Sequence, residues 1–453
     1  MKILLIEPPK PSSSIGGDDV FIFEPLALEY IAAGVSSEHE VRILDLRLEN
    51  DLNKALLDFQ PDIVGITGYT VHVNVVKKLF EEIKHWNQNT LTVVGGHHAT
   101  VLPEDFNTPN IDLIVIGDGV FAFQEIVKRY EREETFGEIP GVVVVKENRI
   151  GATEKRPTIE LDDFPFPERS LTKKYRKDYY SEWMKPLASI CTSKGCPFRC
   201  KFCTLWKLTG GQYLKREPER IVQELATIEE ENVFFADDES MIDVPRMRRL
   251  ADLIKEAGIK KNYFVYARSD TISKNPELFK VWEKIGLKRV FVGLEFVQDD
   301  DLSYIQKKSS SEDNDRAVQI LHDLGVDVYA SFIIRPEFTL EDFSLLRKYC
   351  RKLNLTFASF AVLTPLPGTE LYEELKDQMV TQNYDYFDFI HTLLPTELPL
   401  KSFYREYYKL YQQGISPKQQ LVFLRKYPLK ELPHLLLKGQ KFYRQLLAAY
   451  KDY

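Results

Sequence analysis

Short β-branched apolar runs recur along this chain with helix-length stretches between them, and that rhythm admits few folds. Five such runs open the sequence, at residues 2–6, 40–44, 62–67, 91–94 and 113–116. Strands that alternate with helices pair in parallel, so residues 1–145 read as one α/β domain with a doubly wound sheet of Rossmann or flavodoxin-like type. A charged, proline-punctuated stretch follows over 146–185 and contains Asp162, Asp163, Pro165, Pro167, Glu168 and Arg169. It reads as a linker. A second series then runs through 187–191, 232–236, 263–267, 289–294, 326–334 and 356–363. Six β/α units make a partial (β/α)6 TIM-like barrel over 186–385, which leaves 386–453 as a helical, basic C-terminal region. The 453 residues suit this division into two or three units.

Both architectures bind ligands at the carboxyl ends of their strands. The residues just past each strand therefore carry the functional information. In the first domain these are Pro25 and Leu26, Thr67 and Tyr69, Gly95-Gly96-His97-His98, and Gly117 with Gly119. Glycines at strand ends let the backbone come close to a large ligand, although tight turns alone would also use them.

After the first strand of the second series comes Cys196-Pro-Phe-Arg-Cys200-Lys-Phe-Cys203, three of the five cysteines in the chain. A closed four-iron cluster or a structural zinc needs four ligands, and no Cys or His follows within a hundred residues. Three thiolates imply an iron-sulfur cluster with one iron left open. A zinc site recruiting Cys191 is the alternative, but zinc ligands usually come as two separated pairs and Cys191 reads as the end of a buried strand. An odd, sparse cysteine set without a secretory signal points to a reducing, cytoplasmic setting.

The x3, x2 spacing, with Phe202 before the last cysteine, resembles the signature of the radical S-adenosylmethionine superfamily. That resemblance implies that Cys196, Cys200 and Cys203 hold a [4Fe-4S] cluster whose open iron chelates S-adenosylmethionine. Asp237-Asp238-Glu239 stands after the second barrel strand, where many members carry Gly-Gly-Glu. Arg268 follows the third strand, and Glu295 in Gly293-Leu294-Glu295 is similar to the family's Gly-Ile-Glu. Pro365 lies in a segment similar to the family's closing turn. The resemblance makes Asp237, Asp238, Glu239, Arg268, Glu295 and Pro365 contacts to S-adenosylmethionine, and a carboxylate suits an ammonium held in a dry cavity. For Arg268 and Glu295, a structural ion pair between strands is the other reading.

Beside this motif, the first domain resembles the cobalamin-binding domain that precedes the radical domain in one class of these enzymes, class B. Pro25, Leu26, Thr67, Tyr69, Gly95, Gly96, His97, His98, Gly117 and Gly119 are then cobalamin contacts. The string Asp-x-His-x-x-Gly is absent, so the resemblance implies cobalt without a protein histidine, His97 and His98 touching only the corrin side chains. The pair of domains implies a methyltransferase acting on an unactivated carbon. One S-adenosylmethionine yields 5′-deoxyadenosine, a second renews methylcobalamin, and an electron donor such as flavodoxin or ferredoxin completes the cycle. No protein side chain is assigned a catalytic step. A cyclase or carbon-carbon bond-forming enzyme of the same family is the alternative, separable by its lack of S-adenosylhomocysteine. A cobalamin or redox sensor needs no open iron.

A net charge of −8 argues against nucleic acid as a partner. No apolar run reaches the ~18 residues of a membrane span. Neither a Ser-His-Asp arrangement nor a phosphate-gripping Gly-x-x-x-x-Gly-Lys loop supports a hydrolase or kinase. Residues 401–453 carry eleven Lys+Arg against three Asp+Glu, a net +8 that leaves −16 for the rest. Basic residues interleaved with aromatics predict either peripheral contact with the inner membrane face or helices capping the barrel. This half is also similar to lipid-acting hopanoid methylases, which implies a lipid or other small-molecule substrate.

Overall fold

A computed structural model describes residues 1–146, 149–150, 154 and 156–453. Strands β1 (Lys2–Glu7), β2 (Glu40–Asp45), β3 (Ile63–Thr67), β4 (Leu91–Gly95), β5 (Leu113–Val115), β6 (Val142–Lys146) and β7 (Arg149–Ile150) form one sheet. Their spatial order is β2-β1-β3-β4-β5-β6-β7. β1 to β5 pair in parallel, whereas β6 and β7 run antiparallel to their neighbours. A parallel sheet is covered on both faces, which is why β1 is apolar throughout. Leu4 and Ile6 enter the core on one face, and Ile3 and Leu5 enter the core on the other.

The second sheet comprises β8 (Leu187–Ile190), β9 (Asn232–Phe235), β10 (Asn262–Arg268), β11 (Leu287–Glu295), β12 (Asp327–Ile334) and β13 (Phe357–Val362). All are parallel and stand in chain order. β8 and β13 are its edges, so the barrel is open on one side. The three C-terminal helices, Leu400–Gln413, Pro417–Leu424 and Leu432–Ala448, gather at that side. Phe403, Tyr404, Tyr407 and Leu410 recur at helical spacing and are fully buried in the barrel core with Phe343 and Phe360. The Tyr407 hydroxyl donates to the Phe360 carbonyl of β13 at 2.5 Å. Each of these side chains contributes about 1.5–3 kcal/mol by burial.

Part of the linker expected over 146–185 lies outside the described residues. The rest is packed. Thr172, Tyr175 and Tyr179 are buried, and Tyr180–Ser181 pairs antiparallel with Phe21–Ile22. Arg169 reaches Glu24 at 2.8 Å and Glu224 at 2.7 Å, while Arg176 reaches Glu24 and, at 2.6 Å, Glu230. Glu24 precedes the first helix of the first domain, and Glu224 belongs to a barrel helix. The charged stretch read as a linker thus carries a largely buried network that joins the two sheets.

Candidate active site

The carboxyl ends of both sheets open into one cavity of about 1860 Å³. From the barrel, Cys203, Asp237, Asp238 and Glu295 line it. The first domain contributes Pro25, Leu26, Thr67, Tyr69, Gly95, Gly96, His97, Gly117 and Gly119. Lys194, beside the cysteine loop, bridges to Asp118 of the first domain at 2.7 Å.

The loop that follows β8 is held from β9. Asp237 accepts from the Thr192 and Ser193 amides at 2.7 and 2.9 Å and from the Thr192 hydroxyl at 2.5 Å. Asp238 accepts from the Gly195 amide at 2.7 Å. Oδ1 of Asp237 thus holds two amides and Oδ2 the Thr192 hydroxyl, just before Cys196. Asp237 positions the loop in this way, and it also lines the cavity. Gly195 has a φ of 84°, and a Cβ there would fall 2.2 Å from the Gln212 carbonyl. Cys196, Cys200 and Cys203 are free thiols. Burial pushes the Cys196 thiol up to about 11 and the Cys203 thiol up to about 12, so metal coordination is what would make thiolates of them. Cys191 instead donates to the Ser193 carbonyl at 3.4 Å, and Cys350 is buried in the barrel core.

Arg268 closes over this loop. Its guanidinium lies 3.6 Å from the centre of the Phe198 ring and 4.0 Å from Cys200 Sγ, while its Nε donates to Asp270 at 2.9 Å. Another Arg268 nitrogen donates to the carbonyl of Lys307, whose ammonium donates to Glu295 at 2.6 Å. Glu295 has a φ of 59° and ends β11. A Cβ on Gly293 would stand 2.3 Å from the Glu295 carboxylate and 2.9 Å from the Lys307 ammonium, so a side chain there would displace this ion pair. Lys307 lies beyond the short helix Asp299–Tyr304. No motif marks it in the sequence.

Glu239 is buried, and its Oε1 accepts from the Arg268 amide at 3.2 Å. Its Oε2 has no hydrogen-bond partner among the described residues. Burial pushes its carboxyl up to about 7, against the pull of the Arg268 amide and Thr271. Glu239 does not itself line the cavity, which its neighbours Asp237 and Asp238 reach; its unpartnered Oε2 leaves room for one more donor. Pro365 is buried, and its neighbours Thr364 and Leu366 line the cavity while Pro365 does not.

The first domain's side of the cavity is cut back. Gly96, with φ 100°, would place a Cβ 2.5 Å from Thr67 Oγ1. Gly117, with φ 81°, has nothing within 4 Å of an added Cβ, so any side chain would project into open space. Tyr69 is 60% exposed, and that exposure is to the cavity it lines. His97 also faces the cavity; burial, helped by the positive Lys194, lowers its imidazole to about 4 and keeps it neutral. His98 is the exception. Its Nδ1 pairs with Thr70 at 3.1 Å and its Nε2 with Asp105 at 2.8 Å, and its ring packs against Tyr384. The expectation that His98 touches cobalamin is corrected, because both its nitrogens tie the first domain together and it does not face the cavity.

Residues 15–127 match the B12 binding domain model and residues 190–350 match the Radical SAM superfamily model. The chain is 32% identical to the hopanoid C-3 methylase of Methylococcus capsulatus, over 98% of this chain and 86% of that one. The chain belongs to the cobalamin-dependent radical S-adenosylmethionine enzymes. An uncharacterized methyltransferase of Pyrococcus horikoshii is 30% identical over 82% of this chain and 83% of its own. The fold matches that of the radical S-adenosylmethionine methyltransferase TsrM of Kitasatospora setae, solved with tryptophan substrate and a S-adenosylmethionine analogue, with a TM-score of 0.71 at 18% identity over 100% of this chain and 98% of that one. Among these radical enzymes the chain is a methyltransferase, with a [4Fe-4S] cluster, S-adenosylmethionine and cobalamin as cofactors. Its residues fit them. The described residues hold no group of three or more His, Cys, Asp or Glu placed to bind one metal ion, whereas a four-iron cluster asks each thiolate to bind its own iron. The orphaned Glu239 oxygen suits an ammonium, and the cleared backbone at Gly96 and Gly117 suits a large planar ligand.

Proposed function

We propose that this chain methylates an unactivated carbon of a polycyclic lipid, at an anionic membrane surface. The observation that carries this reading is the reach of the cavity, which continues from the cofactor ends of the strands to the last helix, where Leu435, Leu436 and Lys438 line it. Leu436 is also 57% exposed, and its neighbours Leu437 and Leu429 are 64% and 84% exposed. Exposed leucines among Lys418, Arg425, Lys430 and Lys441 suit the headgroup region of an anionic bilayer, where each basic residue contributes ~1 kcal/mol. Among the described residues no helix is long and apolar enough to cross a membrane, and the proposed contact is a peripheral one. The likeness to a hopanoid methylase along nearly the whole chain supports the same substrate class.

Cys196, Cys200 and Cys203 supply thiolates to the cluster, and the free oxygen of Glu239 receives the methionyl ammonium. Glu295, held by Lys307, and Asp238 frame the same ligand. Gly95, Gly96, Gly117 and Gly119, with Thr67, Tyr69 and His97, seat the corrin. When bound, the cluster with S-adenosylmethionine supplies hydrogen abstraction and cobalamin supplies the methyl group. The protein orients these groups and keeps water from the reacting carbon. A donor such as flavodoxin or ferredoxin provides the electrons.

The test is anaerobic reconstitution followed by mass spectrometry of lipid extracts incubated with methyl-deuterated S-adenosylmethionine. A labelled lipid is expected, with one 5′-deoxyadenosine and one S-adenosylhomocysteine per product. Deoxyadenosine without S-adenosylhomocysteine would mean cyclisation, and label confined to water-soluble products would remove the lipid.

A further inference from the structure

Below the cofactor ends, the cavity continues down the bore of the barrel, where Phe234, Phe264, Tyr266, Phe291 and Tyr329 line it from four successive strands. Their rings touch in series: Phe234 to Phe264 at 5.0 Å, Tyr266 to Phe291 at 4.7 Å, and Phe291 to Tyr329 at 5.1 Å. Tyr329 meets Phe357 of the edge strand at 4.7 Å, and Phe357 stacks on Phe423 of a C-terminal helix at 5.2 Å. One aromatic wall thus runs from the bore, through the open side of the barrel, to the helices that cover it.

Against the middle of that wall, at the amino end of β11, stands a charged pair. Arg289, near the start of β11, is 2% exposed and its guanidinium lies 4.7 Å from the Tyr329 ring centre. It donates to Glu182 Oε2, which also accepts from Ser181 at 2.6 Å. Glu182 is 7% exposed, lines the cavity, and holds a left-handed φ of 47°. Its Oε1 has no hydrogen-bond partner among the described residues. A buried ion pair is costly to keep in an aromatic bore, and an apolar replacement would serve stability as well. Arg289 and Glu295 stand six positions apart on β11, about 20 Å at ~3.3 Å per residue. The acceptor therefore lies one long molecule away from the cofactor ends.

We infer that the bore is the substrate channel and that Glu182 receives a hydroxyl, or another hydrogen-bond donor, at the end of the substrate opposite the reacting carbon. This deepens the lipid reading and rests on it. The substrate is rigid, largely apolar and about 20 Å long. Glu182 acts as a specificity-determining residue, and Arg289 positions it.

The test is binding of two probes, radiolabelled cholestanol and cholestane, delivered in the same detergent to reconstituted full-length protein without S-adenosylmethionine and separated by rapid gel filtration. Wild type should bind the alcohol about tenfold more tightly than the hydrocarbon. Glu182→Leu, which offers no hydrogen-bond acceptor, should lose that preference and keep the hydrocarbon affinity. Ser359→Trp, which fills the cavity from the edge strand, should weaken both probes at least tenfold and decides the matter if the Glu182 variant does not fold. Equal binding of the probes to wild type, no binding of either, or unchanged binding in Ser359→Trp overturns the inference. No turnover is needed, so an inactive lipid assay would not disguise the result.

Discussion

Replacing Cys196, Cys200 or Cys203 by alanine should abolish the four-iron cluster, read as iron per chain and by paramagnetic resonance, whereas Cys350→Ala should keep it because that thiol is buried in the barrel core. Retained iron in the first three variants would move the cluster elsewhere. Glu239→Gln removes the negative partner of an ammonium and should weaken S-adenosylmethionine binding about ten- to hundredfold, measured by equilibrium binding to the reconstituted protein. The cysteines are legible in sequence because three metal ligands of one loop lie next to each other. Lys307 and Glu182 are not, since each owes its place to a partner on a distant strand. His97 and His98 look interchangeable until a helical turn over His97–Val101 sends one to the cavity and the other into the protein.

The C-terminal helices cap the barrel, one of the two roles that the sequence offered for them, and the proposed membrane contact would use their other face. Their buried aromatic face caps the barrel, and their exposed leucines lie beside the cavity mouth. Changing Leu429 and Leu437 to Asp should therefore abolish co-sedimentation with anionic vesicles and leave the unfolding midpoint within about 0.5 kcal/mol, because both side chains are exposed. The chain end is docked by His391, whose Nδ1 meets Asp388 at 2.8 Å and whose Nε2 meets Asp452 at 3.1 Å. Burial alone would lower this imidazole, but the Asp388 and Asp452 carboxylates raise it above 6.5. Its stabilisation is therefore complete below about pH 6.5 and fades as pH rises through the raised value. Urea midpoints across pH 6 to 9 should fall in wild type and stay comparatively flat in His391→Gln. Strand positions were readable because parallel strands are apolar on both faces. β11 begins at Leu287, two residues before the run over 289–294, because Lys288 interrupts the apolar pattern, and Arg289 is inside the barrel.

At the scale of the whole molecule, the cavity lies where two sheets meet, so the seam between them matters as much as either core. Arg169 and Arg176 bring Glu24 and Glu29 of the first domain against Glu224 and Glu230 of the barrel. Arg169→Met strands buried carboxylates and should cost about 3–5 kcal/mol, seen as an early transition in urea with loss of cobalamin retention. A connector of mixed charges gave no hint of this in sequence, since the same residues on a surface contribute almost nothing. The network also gives the seam its own dependence on heat. Hydration of ions becomes less favourable as temperature rises, so the cost of keeping these charges dry shrinks in the warm, while the apolar cores gain little. On chilling, water reclaims the arginines and glutamates first, and the enzyme should come apart along this line while both of its halves are still folded.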